Sequence, residues 1–260
     1  MIPSSFDYFR PQNLDEAVKF LSQHEDAKVL AGGHSLIPAM KLRLAQPGTV
    51  IDISRIGDLS YIREQGDKIL IGAMTTHHDI ESSALLKEKC PLLPEVAACI
   101  GDVQVRNKGT IGGSLVHADP AADWPAPILA LDAELEIAGS NGRRAVSASE
   151  FFVDMMQTAV QPNEILSEIR IPKTAKSVAY VKSAQKASGF AIAGVAVVIF
   201  GNQTRIGVTG VAAKPFRASS VENICADVEP LNDIHASAEF RAHLAQVNAR
   251  RAVELARSRE

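Results

Sequence analysis

Two short segments carry the residue types that hold a phosphate without spending a charged side chain: AGGHS at residues 31–35 and TIGGS at residues 110–114, about 80 residues apart. Backbone N–H groups of small residues, turned to one side near a helix N-terminus, bind phosphate oxygens through hydrogen bonds and the helix dipole. Two such segments suit the two halves of a pyrophosphate. Paired glycines are costly inside regular elements and mark a turn or a close backbone approach. Either segment alone reads more readily as an ordinary turn; the pairing, each after a β-type stretch, brings the diphosphate reading level with it. The chain contains neither GxGxxG nor GxxxxGK[ST], so Rossmann and P-loop readings fall away.

Other chemistry-bearing residues have simpler readings. His77 and His78 are adjacent, and neighbours on a helix point about 100° apart, so polar residues at the surface or in a first helical turn fit them better than a metal site. Asp119 and Asp123 lack a histidine at compatible spacing, which favours cofactor contact or capping over acid–base catalysis. Trp124 and Phe151-Phe152 read as core or interface. No catalytic residue and no metal ligand is assigned.

The elements that must position the two segments follow from periodicity and punctuation. Asn13 with Glu16 forms a capping box before Leu14, Ala17, Val18 and Leu21, predicting a helix over 14–23. AKVLAGG is a strand entering the first glycine pair, Ser35 caps a helix from Leu36 to Leu44, and TVIDIS returns as a strand: a β-loop-α-β unit. KILIGAM is a further strand, Thr75 or Thr76 caps a helix through HHDIESSALLK, and LLPEVAACI is another helix. VQVRNKG reads as a loop leading into a Gly-Gly turn, followed by a Pro-broken stretch, a helix and a strand. Asn141-Gly142 marks a hairpin between AELEIAG and RRAVSAS. A Pro/Lys/Thr linker over 172–176 precedes a second lobe. There SVAYVKSA, FAIAGVAVVIF and TRIGVTGVAA read as three antiparallel strands, Gly201-Asn202 turning the second into the third, before helical stretches near 219–227 and 235–257.

Composition bounds the functional classes. At 260 residues and 46% hydrophobic content the chain buries a real core in two or three lobes. With 27 basic against 30 acidic residues it has no nucleic-acid stripe. No apolar run reaches about 18 residues and the N-terminus lacks a signal pattern, so no integral membrane segment is expected and the reading is a soluble, cytoplasmic protein. Cys90, Cys99 and Cys225 form no CxxC pair, so an iron-sulfur cluster would belong to another chain.

Residues 107–131, NKGTIGGSLVHADPAADWPAPILAL, together with AGGHSLIP, resemble the FAD-binding medium subunits of the molybdenum hydroxylase family, of the carbon monoxide dehydrogenase and xanthine dehydrogenase type. The resemblance spans nearly the whole chain. It implies an α+β fold: a two-subdomain FAD-binding fold of the p-cresol methylhydroxylase type over 1–174 (subdomains about 1–57 and 58–174), then a C-terminal domain over 175–260 with a three-stranded antiparallel sheet. It also implies noncovalent FAD, electrons received from a 2Fe-2S small subunit and passed to an external acceptor, and a molybdopterin-containing large subunit, assembled as a dimer of heterotrimers. Ala31, Gly32, Gly33, His34, Ser35 and Leu36 match the first pyrophosphate loop; Thr110, Ile111, Gly112, Gly113 and Ser114 match the second. Asp123 matches an acidic cofactor contact, and Leu166 and Lys182 match positions lining the flavin. Gly189-Phe190 stand where relatives carry Asp and a large aromatic, leaving Phe190 with ring area and no hydroxyl. Some oxidases of this fold tether FAD through a histidine in a Gly-Gly-His context; the resemblance gives His34 a loop role instead. The alternative function is a self-contained flavin oxidoreductase of the same fold, which the small C-terminal lobe disfavours because it offers little to cover a substrate pocket.

Overall fold

A computed structural model describes residues 1–174 and 177–259. Residues 175 and 176 of the expected linker lie outside the described residues, and residues 173 and 174 are tied by backbone bonds to Asp67 and Lys89.

The β-loop-α-β pattern folds as a parallel three-stranded sheet, β1 (Asp7–Phe9), β2 (Ala27–Leu30) and β3 (Thr49–Asp52), in the order β1-β3-β2. Helix α1 (Leu14–Gln23) starts where the Asn13 side chain accepts the Glu16 amide at 2.9 Å, and buries Leu14, Ala17, Val18 and Leu21. Helix α2 (Leu36–Lys41) stops short of Leu44, because Arg43 adopts φ +59°, outside the helical region. Ser35 has helical dihedrals (φ −102°, ψ −50°) and its hydroxyl caps nothing, contrary to the capping role expected of it; a capping side chain needs an extended backbone.

The central layer is a five-stranded antiparallel sheet ordered β4-β5-β10-β6-β7, formed by β4 (Ile62–Gln65), β5 (Lys68–Gly72), β6 (Glu134–Gly139), β7 (Gly142–Ser147) and β10 (Glu164–Pro172). The hairpin loop is Ser140-Asn141, with Gly142 at φ +104° opening β7 opposite Gly139. The helix expected from residue 77 is two, α3 (His77–Ser82) and α4 (Ala84–Lys89), because Ser83 turns to ψ 116° and its hydroxyl accepts the Leu86 amide. After α5 (Leu92–Ala98), the expected loop is helix α6 (Val103–Lys108), started by the Asp102 carboxylate on the Val105 amide at 2.8 Å. The second glycine pair is no turn. It lies in the first turn of α7 (Ile111–His117), capped by Thr110. Every residue of α8 (Pro125–Ala130) is buried. The short α9 (Ala148–Phe151), β8 (Phe152–Asp154) and β9 (Gln157–Thr158) close this layer, with Phe151 and Phe152 buried as expected.

The C-terminal sheet has four strands, not three: β11 (Val178–Ala184), β12 (Ala191–Phe200), β13 (Gln203–Thr209) and β14 (Phe216–Ala218), in that order. The fourth is three residues long, too short to leave a period-2 signal in the sequence. The helix expected at 219–227 is a series of turns, of which Ile224 alone is buried as a large apolar residue. Helix α10 (Ala238–Arg257) is capped by Ser237, whose hydroxyl accepts the Phe240 amide at 3.2 Å. Strand β12 is buried on both faces: Ala193, Val195 and Val197 meet Ala245, Ala249 and Ala252 of α10, whereas Ala196 and Val198 join the central core. That alternation fixes register, since a one-residue slip would exchange the two faces.

Within this lobe Arg241 is buried, donating to the Ile192 carbonyl at 3.0 Å and to Asp233 at 2.7 Å. The guanidinium holds the Asp233 carboxyl down to about 2. A carboxyl depressed in the folded state contributes stability above its unfolded value near 4 and loses it as pH falls toward 2. Asp233 is partly exposed, which screens the pair. We expect Asp233→Asn to cost about 1–2 kcal/mol at pH 7, read as a lower urea midpoint, with the difference from wild type closing between pH 4 and 2.

Candidate cofactor-binding site

The first glycine segment leaves β2 and enters α2 with Gly33 at φ +78°. Ile37 donates to the Gly33 carbonyl at 3.0 Å, so α2 is anchored, yet the amides of Gly32, Gly33, His34, Ser35 and Leu36 donate to no protein group among the described residues. Gly32 and Gly33 are half-buried; His34 and Ser35 are exposed. Five consecutive unspent donors at a helix start are the backbone groups from which an anion site can be built.

The second segment is arranged differently. Ile111 donates to the Thr75 carbonyl (3.0 Å), Gly112 to that of Ala73 (2.9 Å), Gly113 to the Thr110 hydroxyl (3.1 Å) and Ser114 to the Thr110 carbonyl (3.0 Å). Its amides are spent inside the protein, and what it leaves unpartnered among the described residues is the half-buried Ser114 hydroxyl. Its glycines are there for contact: a Cβ on Gly112 would sit 2.5 Å from the Ala73 methyl. The two segments also touch. A Cβ on Gly32 would lie 2.0 Å from the Lys108 carbonyl oxygen, and one on Gly113 would lie 3.4 Å from the Ala31 methyl.

A second cluster gathers Asp123, from the loop before α8, with Tyr180 and Lys182 on one face of β11. The Tyr180 hydroxyl donates to the Asp123 carboxylate at 2.6 Å and the Lys182 ammonium approaches it to 3.0 Å. Lys182 also donates to the carbonyls of Cys99 (2.7 Å) and Gly189 (2.8 Å). All three side chains are buried. Burial raises the Asp123 pKa, opposed first by the Lys182 charge and then by the Tyr180 hydrogen bond; burial and the Asp123 charge push the Tyr180 phenol well above its ordinary value. Beyond Gly189 (φ +75°), Phe190 is half-exposed on the wall of a cavity of about 330 Å³ shared with Ala121, Met155, Gln185 and Ile192. Leu166 is buried on β10 opposite Ile137 in the central core, next to Ser167, whose carbonyl accepts the Ala73 amide beside the second segment.

Residues 4–174 match the family described as the FAD binding domain in molybdopterin dehydrogenase. The chain belongs to this family. It is 41% identical to the carbon monoxide dehydrogenase medium chain of Hydrogenophaga pseudoflava, over 100% of this chain and 99% of that one. It is 34% identical to the nicotine 6-hydroxylase medium subunit of Paenarthrobacter nicotinovorans, over 95% of each. The structure of carbon monoxide dehydrogenase from Hydrogenophaga pseudoflava, in a form lacking the Mo-pyranopterin moiety of the molybdenum cofactor, superposes with a TM-score of 0.95 at 40% identity, covering 100% of this chain and 99% of that chain. The cofactor of this family is FAD, and the chain is an FAD-binding subunit of the molybdenum hydroxylase oxidoreductases.

The residues present fit that cofactor. A diphosphate needs several donors and no fixed countercharge, which the unspent amides of 32–36 provide. The half-buried Ser114 hydroxyl adds a side-chain donor. Sequence reasoning missed Tyr180, although it stands two residues before Lys182 on a strand and so shares its face. It also placed His77 among polar surface or first-turn residues. His77 does open α3, but it is buried, its Nδ1 accepting the Trp124 indole N–H at 3.0 Å. Trp124 is core, as expected. No helix among the described residues is long and apolar enough to cross a membrane.

Proposed function

We propose that this chain is the electron-transferring subunit of a cytoplasmic heterotrimeric molybdenum hydroxylase, receiving electrons from a 2Fe-2S small subunit and passing them to an external acceptor. A molybdopterin-containing large subunit carries the substrate chemistry, and two heterotrimers pair. The observation that carries the reading is the row of five unspent amides from Gly32 to Leu36, a diphosphate site in a chain whose relatives are medium subunits of larger enzymes.

In this reading residues 1–174 hold the cofactor, in subdomains of about 1–57 and 58–174, and residues 175–260 border its ring. Bound FAD supplies the redox chemistry, accepting and releasing electrons at its isoalloxazine. The amides of residues 32–36 bind the diphosphate, Ala31 and residues 110–114 fix the angle at which those amides point, and Ser114 adds its hydroxyl. Lys182, held by Asp123, sets the charge beside the ring, Leu166 backs it from the core, and Phe190 limits its access to solvent.

The test is purification of the native protein. It should come with two further chains, one carrying iron and one molybdenum, and acid precipitation should release FAD, rather than FMN, into the supernatant. A single chain that turns over its own substrate would overturn the subunit role in favour of a self-contained flavin oxidoreductase. Yellow colour retained in the pellet would replace noncovalent binding with a tether through His34.

A further inference from the structure

His77 is a buried side chain whose hydrogen-bonding capacity the fold uses only by half. Its Nδ1 accepts the Trp124 indole N–H at 3.0 Å, and indole nitrogen only donates, so the neutral ring carries its proton on Nε2. Burial, assisted by the charges of His34 and Arg106, lowers its pKa to about 4, which keeps the ring neutral at working pH. The Nε2–H then has no protein acceptor among the described residues, although His77 is only 4% exposed. Nε2 is not among the side-chain nitrogen and oxygen atoms sealed from solvent without a partner, so this edge of an otherwise buried ring is the one that an acceptor from outside the chain can reach.

Its location names the acceptor. The His77 amide donates to the Gly109 carbonyl at 3.0 Å, and a Cβ on Gly109 would fall 2.7 Å from His77 Nε2. Gly109 is in turn the residue against which Gly32 packs, its Cα lying 2.9 Å from a Cβ built on Gly32. The ring therefore lies directly behind the crossing of the two glycine segments. His34, Arg106 and Lys108 are drawn from the same crossing and its flanking helix, and none is an acid; of the carboxylates of α3, Glu81 is paired with Arg106 at 2.8 Å and Asp79 accepts from the Thr76 hydroxyl at 2.7 Å. Donors and positive charge, with both carboxylates of α3 already engaged, suit an anionic oxygen.

We propose that His77 is a further FAD-binding residue, its Nε2–H donating to a phosphate oxygen of the diphosphate where the two glycine segments cross. This rests on the FAD site described above. A neutral donor suits the position because a buried imidazolium would have both ring nitrogens protonated and would break the Trp124 bond.

Two amide variants separate binding from scaffolding. Asparagine reproduces the reach of Nδ1 and keeps a partner for Trp124, but loses the Nε2 donor; glutamine reaches the Nε2 position and loses the Nδ1 acceptor. FAD is removed from the full-length chain, with its partner subunits where they copurify, and the dissociation constant for FAD is measured by titration. Trp124 is the chain's one tryptophan, so its emission reports the state of the indole bond in each variant. The expected result is His77→Asn binding FAD about tenfold more weakly while its tryptophan emission stays native, with His77→Gln within about threefold of wild type and its emission shifted. In phosphorus NMR of the bound FAD, His77→Asn should move a diphosphate resonance. The reverse order, with His77→Asn binding normally and His77→Gln weakened, would make His77 a support for Trp124 alone and overturn the proposal, as would two variants that both bind normally. A wild-type chain that fails to rebind FAD would sink the cofactor site itself, a different outcome from either.

Discussion

Replacing Gly32 by valine should strip the protein of FAD and leave it folded. A Cβ at residue 32 would lie 2.0 Å from the Lys108 carbonyl oxygen, 2.8 Å from its carbon and 2.9 Å from the Gly109 Cα. These are backbone atoms, which cannot swing aside as a side-chain tip can, so relief comes only by parting the two segments. Overpacking of this kind costs about 1–3 kcal/mol or more, and the distortion falls on the softer partner. Residues 108–114 are tied to Thr75, Ala73 and the Thr110 cap, whereas the amides of 32–36 have no protein partners among the described residues. The first segment therefore moves, and the five donors lose their common aim. FAD content should drop to less than roughly a tenth of wild type, since about 1.4 kcal/mol is a factor of ten in binding, with the far-ultraviolet circular dichroism unchanged. Gly57→Val is the control: a Cβ there meets nothing within 4 Å, and full FAD content is expected. Gly113→Val should fall between the two, because its Cβ meets the Thr110 hydroxyl at 2.8 Å, a side-chain end that yields at the cost of the cap. A soluble Gly32→Val protein with normal FAD would show that the crossing does not shape the site.

The contrast between the two glycine segments also marks the limit of what the sequence discloses. Both pairs read alike as GGx runs beside a serine, and sequence alone assigns both the same role. Which pair keeps its amides free is decided by residues elsewhere in the chain: the carbonyls of Ala73 and Thr75 consume those of the second, and among the described residues nothing comparable reaches the first. Helix α1 was legible because its cap and its buried stripe are local, and the β12–β13 hairpin because Gly201-Asn202 falls between two apolar runs. Helix α6 was not, since its six residues bury no side chain and so carry no apolar period. His77 escaped for the same reason that it matters: its hydrogen-bond partner is Trp124, 47 residues on. The pairing of Asp123 with Lys182 belongs to this class too, because both positions were singled out separately and their contact joins the loop before α8 to a strand of the following sheet.

That contact changes what removal of Lys182 should do. An isolated cation beside the flavin would stabilise the more negative reduced state, and its loss would lower the midpoint potential at any pH. Lys182 is instead half of a buried pair, 3.0 Å from Asp123, and breaking a buried pair from one side leaves the other charge stranded. In Lys182→Met the Asp123 carboxyl keeps only the Tyr180 hydroxyl, while the burial that already raises its pKa persists; it takes up a proton. A neutral acid then replaces a neutral pair, so below the pKa of that carboxyl the potential should stay close to wild type. Raising the pH through the pKa of that carboxyl restores its charge without a partner, and the variant's potential should fall below that of wild type by tens of millivolts. In Asp123→Asn the opposite charge is unmasked. The ammonium remains held by the carbonyls of Cys99 and Gly189, and the potential should rise, about 30 mV for each 1.4 kcal/mol in a two-electron couple. Potentiometric titration of both variants against wild type at each pH, with FAD content as the control, reads the two signs directly. Shifts of the same sign, or none at any pH in a protein with full FAD, would place the pair away from the ring; opposite signs, with the fall in Lys182→Met developing only as the Asp123 carboxyl ionises, are what a buried pair bordering the flavin requires.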